Sequence, residues 1–185
     1  MQSNSGNEYA ALIATVLNGG QPATTESVAR DGETIKAIFA KSGWMETSSE
    51  DSFNQFLTLG VGSKPMMVGY ESQLLDLAVN QPDAFKQIKD DVVIVYPTPT
   101  VWSTHTLMAL DDKGVKLLDL LKSQKVQKLA WERHGFRAAN FAGTDPIKRF
   151  GVPGTLDQIP AVSELPNNDA MQQLITALQG VQPQQ

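Results

Sequence analysis

The chain has 185 residues, 41% of them apolar and 19% charged, and a net charge of −5. That length suits one domain, or one domain with an appendage, and is enough to bury a real core, while the charge balance, with Lys and Arg scattered, excludes a basic surface for wholesale nucleic-acid binding. There is no cysteine, which excludes disulfides, thiolate metal sites and cysteine nucleophiles, and no apolar run approaches the roughly 18 residues that span a bilayer.

The opening stretch, MQSNSGNEYAALIATVLNGG, has no basic n-region, and its apolar run begins behind Ser, Asn and Glu. It does not read as a signal peptide. Its abrupt start is what an excised piece of something longer would show, rather than a cytoplasmic protein. Tyr9, Leu12, Ile13, Val16 and Leu17 have helical spacing over 7–18, with Ser5 or Asn7 as the cap and Gly19-Gly20 as the stop. A second helix is predicted over 31–42 from Ile35, Ile38 and Phe39. A third follows in ETSSEDSFNQFLTLG, capped by Ser48 or Ser49, with acids in its first turn and Gly60 at its end.

KPMMVGY at 64–70 reads as a short buried strand running into the helix ESQLLDLAV. DDVVIVYP is β-branched and apolar on both faces, as strands inside a mainly parallel sheet are. TLMAL reads as a further strand. Between these two lies TPTVWST, whose prolines stiffen the chain and carry it extended, where a tight hairpin would want Gly or Asn. Residues 113–135 hold two helices divided near Ser123-Gln124, with Gly135 as the C-cap. Residues 141–168 are rich in Pro, Gly and Asp and read as loop with one turn of helix. A last amphipathic helix begins at Asn168 or Asp169. Helices alternating with few, short, buried strands predict an α/β fold.

Several motifs carry chemistry. SNSG at 3–6 sets two hydroxyls and a glycine before a helix, where free amides favour anions; on the motif alone a plain N-cap is the better reading. TSSED at 47–51 is capping. GYES at 69–72 ends a strand and opens a helix, so Tyr70, Glu71 and Ser72 fall at the sheet edge where α/β folds bind ligands, or simply cap the helix. His105 and His134 lie in no zinc or triad pattern, so no metal site is expected. A hydrolase or transferase would need a nucleophile–base pair, and no Ser, His and acid show telling spacing. His134 suits a helix C-terminus. Phe136 reads as a core plug and Arg137 as one half of an ion pair or an anion contact. Trp44, Trp102 and Trp131 read as core or as the wall of a binding site. No Gly-rich phosphate loop is present.

Taken together, SNSG before a helix, PMMVGYESQ, VVIVYPTPTVWSTHTLMALD and GVKLLDLLKSQKVQKLAWERHGFRAAN resemble the second half of a bacterial extracellular solute-binding protein. The fold of that family is the type II periplasmic binding protein fold, and the group resembled is the one of molybdate- and sulfate-type receptors. The likeness runs from about residue 3 to residue 140 and is loose over the final 45 residues. It implies a three-layer α/β lobe, a short mainly parallel sheet flanked by helices, with the N-terminal half-lobe missing from this chain. The implied organisation is lobe two over 3–100, a crossing segment, strand and helix pair over 101–140, and a loop-rich tail over 141–185.

What the resemblance implies for function is non-catalytic binding of a small polar solute or oxyanion, without a cofactor, in a periplasmic or extracellular receptor. Such a receptor serves the membrane subunits of a transporter, or a sensor. Carried over by position, Ser3, Ser5 and Gly6 match the family's hydroxyl and amide contacts. Tyr70 and Glu71, with Ser72 beside them, match the second-lobe position, and Pro97, Thr98 and Trp102 the hinge side. The alternative is an interaction module that keeps the binding-protein fold without ligand. It would show an exposed apolar face around 113–135 and associate, either with the missing half-lobe or as a homodimer.

Overall fold

The computed structural model describes residues 3–42, 48–60, 65–138 and 146–181. Helix takes 58% of them and strand 1%, and no sheet forms among them. The expected three-layer α/β lobe with a parallel sheet is therefore wrong. The strands expected over 64–70, 90–97 and 106–110 do not form: 65–70, 90–97 and 106–110 carry neither helix nor strand. Among the described residues one bridge forms, parallel, between Thr100 and Val162; Thr100 N–H donates to Ala161 O at 3.0 Å and Ser163 N–H to Thr100 O at 2.8 Å. The physical reason is that β-branched residues favour a strand only when a neighbouring strand offers a pleated surface to pack on. Within 91–96 burial does alternate, with Val92, Ile94 and Tyr96 half-buried. Val93 and Val95, however, stand exposed, so the apolar residues on both faces do not mean a central position.

The chain divides into two compact units. One comprises Met1–Gly69, Tyr96–Ser103 and Ile159–Gln185, the other Tyr70–Val95 and Thr104–Gln158. The span 3–100 contributes to both, and the proline-threonine stretch belongs to the first unit while the residues on either side of it belong to the second.

In the first unit α1 (Asn4–Leu17), α2 (Thr25–Lys41) and α8 (Asn168–Ala177) pack together. Ala10, Ala14 and Ala170 bring the helices close, and Val28, Ile35, Phe39, Leu174 and Leu178 fill the interior, with Tyr9 and Ile13 against them. Each large side chain so buried contributes about 1.5–3 kcal/mol. α2 begins six residues before the predicted start. Thr24 N–H donates to Ser27 Oγ at 2.9 Å while Ser27 N–H donates to Thr24 Oγ1 at 3.3 Å, a reciprocal cap that fixes the first turn. α3 (Ser49–Leu59) is capped by Ser48, whose Oγ accepts from Asp51 N–H at 3.0 Å. It buries Phe56 and ends at Gly60.

In the second unit α4 (Glu71–Asn80) buries Leu74, Leu75 and Leu77. It packs against α5 (Pro82–Ile88), α7 (Gln124–His134) and the 3-10 turn Ile147–Phe150. Trp131 meets Phe150 edge-on, ring centroids 5.1 Å apart, a favoured aromatic geometry. α6 (Asp112–Lys122) leads into α7 through the single residue Ser123, which caps α7 where the sequence places the break. Gly135 ends α7 with φ of +67°; a Cβ there would strike Leu75, coming within 2.8 Å of its Cδ1. Phe136, expected as a core plug, is 45% exposed and meets the His105 ring edge-on: after the left-handed turn at Gly135 it is Leu75, not Phe136, that is fully buried.

Candidate functional site

The N-terminal end of α1 gathers the polar groups of the first unit. Ser3 is the cap, two residues before Ser5 and four before Asn7: its Oγ accepts from Gly6 N–H at 3.1 Å. Ser5 Oγ lies 3.5 Å from Ser3 Oγ, at the limit of a hydrogen bond. Glu8, one turn in, accepts at Oε1 from Asn4 Nδ2 at 3.0 Å and from Ser103 Oγ at 3.1 Å. Ser103 lies 95 residues away in sequence, at the end of the proline-threonine stretch, so that stretch is laid against α1. Its other end is held as well, since a Cβ on Gly20 would meet the Pro99 ring at 3.5 Å. The Thr98–Pro99 peptide is cis. Asn7 Oδ1, on the same helix end, is shielded from solvent and accepts no hydrogen bond. Next to Glu8, Tyr9 packs on Phe39 at 5.5 Å, and burial pushes its phenol above the ordinary value.

This cluster can bind hydrogen-bond donors. A carboxylate and an unsatisfied amide oxygen both seek them, and the serine hydroxyls both give and accept. It is poorly suited to a lone oxyanion, because the Glu8 charge opposes the attraction of the helix end. Ser3→Ala is expected to lower the unfolding free energy by about 1 kcal/mol through loss of the cap. The change should appear in urea unfolding as a lower midpoint with unchanged slope.

The remaining expected contacts fall in two places. Pro97, Thr98 and Trp102 lie in the first unit with Ser3, Ser5 and Gly6, and Trp102 is 48% exposed. Tyr70, Glu71 and Ser72 open α4 in the second unit. There Gln73 Oε1 accepts from Tyr70 N–H at 2.9 Å, and Glu71 is committed to Arg137, whose Nε donates to Oε1 at 3.0 Å and whose Nη2 donates to Oε2 at 3.0 Å. Arg137 also donates to the carbonyls of Asp157 and Leu156. Glu71 therefore acts as an anchor for Arg137 rather than as an open ligand contact.

Both histidines have partners. His134 is a basic residue in the last turn of α7, as expected, and its Nδ1 also lies 2.6 Å from Asp76 Oδ1, while His105 faces Phe136. No group of three His, Asp or Glu able to hold a metal occurs among the described residues. Trp44 lies outside the described residues, whereas Trp131 is core. Sequence reasoning missed Glu8, Ser103 and Asn7. The i, i+4 spacing of Asn4 and Glu8 was a usable signal; Ser103 carried none, because its partner is remote in sequence. Comparison with family models, with curated proteins and with solved structures finds no match to this chain.

Proposed function

We propose that the chain is a non-catalytic binding module for a small polar solute, held at the N-terminal end of α1. It would act in an extracytoplasmic receptor serving a transporter or sensor, in the manner of the solute receptors that its segments resemble. The observation that carries this is the meeting of Ser103 with Glu8 beside the Ser3, Ser5 and Gly6 helix start. Two stretches that the resemblance assigns to solute contact are thereby joined. Of the two solute classes implied, the cluster favours a donor-rich organic solute, such as a polyol, sugar or amine, over an oxyanion. Glu8 supplies a carboxylate acceptor, Ser103 and Ser5 supply hydroxyls, and the exposed ring of Trp102 in the same stretch offers an apolar face to a sugar or alkyl chain.

A thermal-shift panel of sugars, polyols, amino acids, amines, organic acids, phosphate, sulfate and molybdate tests it. A true solute at about a hundred times its Kd stabilises by about 2.7 kcal/mol, which raises Tm by about 5–10 °C in a chain of this size. The shift should fall away in Glu8→Gln and Ser103→Ala. Response to the oxyanions alone, untouched by Glu8→Gln, would overturn the donor-rich assignment. Silence across the whole panel would overturn the receptor function.

A further inference from the structure

The corner between α1 and α2 carries Asn18-Gly19, a pair that occurs nowhere else in the sequence. An asparagine followed by glycine is open to self-modification, because glycine has no side chain to hinder its own backbone nitrogen from closing on the asparagine amide. The structure restrains this pair and also gives it work. Asn18 caps the C-terminal end of α1. Its Nδ2 donates to Gln21 O at 3.3 Å and to Pro22 O at 3.1 Å, so one amide ties down the turn that leads to Thr24, the cap of α2. Gly19 N–H donates to Val16 O at 3.1 Å. Gly19 itself has φ of +70°, with open space where a side chain would stand.

We propose that Asn18 is a deamidation site, held in check by the end of α1, whose conversion unties the turn between α1 and α2. Gly19 N loses its proton to solvent base and attacks Cγ of Asn18. A C–N bond forms, the bond from Cγ to Nδ2 breaks, and that nitrogen takes a proton from water and leaves as ammonia. Water then opens the cyclic imide at either carbonyl. The product is aspartate, or its isomer with the main chain routed through the side chain. In the closed corner the Gly19 N–H is given to Val16 O and the amide is held by two carbonyls, so attack waits on fraying of the last turn. The open space over Gly19 admits water. The tie does not re-form afterwards. A carboxylate has no donor for the Gln21 and Pro22 carbonyls, and its charge falls at the negative end of the helix dipole. The change is one-way and concerns this corner alone, so it stands or falls separately from the solute site.

Peptide mapping of the whole protein during incubation at mildly alkaline pH, folded and in urea, tests it. In urea Asn18 should convert ahead of every other asparagine. In the folded protein it should still convert, slowed by about tenfold or more. Asn18→Asp, which reproduces one product, should lower Tm by about 4–8 °C through the lost hydrogen bonds and the misplaced charge. The converted fraction of the parent, separated by ion exchange, should show a lower urea midpoint in the same way, which keeps the test open if the variant does not fold. Equal rates folded and in urea would overturn the restraint by α1. An Asn18 that never converts in the folded protein would overturn the site. A converted fraction as stable as the parent would overturn the untying of the turn.

Discussion

Arg137→Ala is expected to lower the unfolding free energy by about 2–4 kcal/mol. The guanidinium binds both oxygens of Glu71 and two backbone carbonyls, those of Leu156 and Asp157. It thereby ties the start of α4 to the chain beyond the 3-10 turn. Side-chain exposures of 14% for Glu71 and 19% for Arg137 make this a pair largely withdrawn from water. Removing the arginine alone leaves a carboxylate shielded from solvent without its cation, and leaves two carbonyls short of a donor. The lower end of the range allows for the residual exposure. Replacing both partners, as in Glu71→Leu with Arg137→Met, should recover most of the loss, because an apolar pair of similar volume needs no solvation. Urea unfolding of the single and double variants reads the difference. A single variant as stable as the parent would show that the bridge is cancelled by its own desolvation.

Most of the helices were legible because their signals are local, whereas the seven-residue α5 was not foreseen. Ser48 with Gly60, and Ser123 with Gly135, bracket their helices by capping chemistry that acts over three or four residues. The start of α2 was missed because its cap uses Ser27, where the familiar box has Glu or Gln, and because Val28 is the lone large apolar residue before Ile35. The sheet was misread for a different reason. Val92, Val93, Ile94 and Val95 show the composition of a central strand, but strand formation depends on what lies alongside, and that is not written in the segment itself. The candidate site was half legible. SNSG announced a helix start with hydroxyls, whereas the Ser103–Glu8 contact and the Glu71–Arg137 bridge join residues 95 and 66 positions apart. No spacing rule reaches that far. For Glu71 this changed the role: a residue balanced between ligand contact and capping proves to be engaged by a cation from the exit of α7.

Gly154→Ala is expected to cost about 3–5 kcal/mol, from backbone strain and overpacking together. Gly154 has φ of +82°, a conformation disfavoured by any side chain, and a Cβ there would collide with the carbonyl of Ile94 and come within 2.7 Å of Val93 Cγ2. The neighbouring residue explains why the approach is so close: Ile94 N–H donates to Pro153 O at 3.0 Å. The segment that looks like a central strand is thus joined by a backbone hydrogen bond to a Pro-Gly turn, and the missing side chain of Gly154 is what lets the two backbones meet. Gly151→Ala is the control within the same unit. Its φ is +64°, but nothing lies within 4 Å of the added carbon, so it should lose only the left-handed penalty of about 1–2 kcal/mol. Urea unfolding of the two variants separates strain from collision. Equal losses would mean that 92–95 yields freely around Gly154, and that its attachment to the turn contributes little to the second unit.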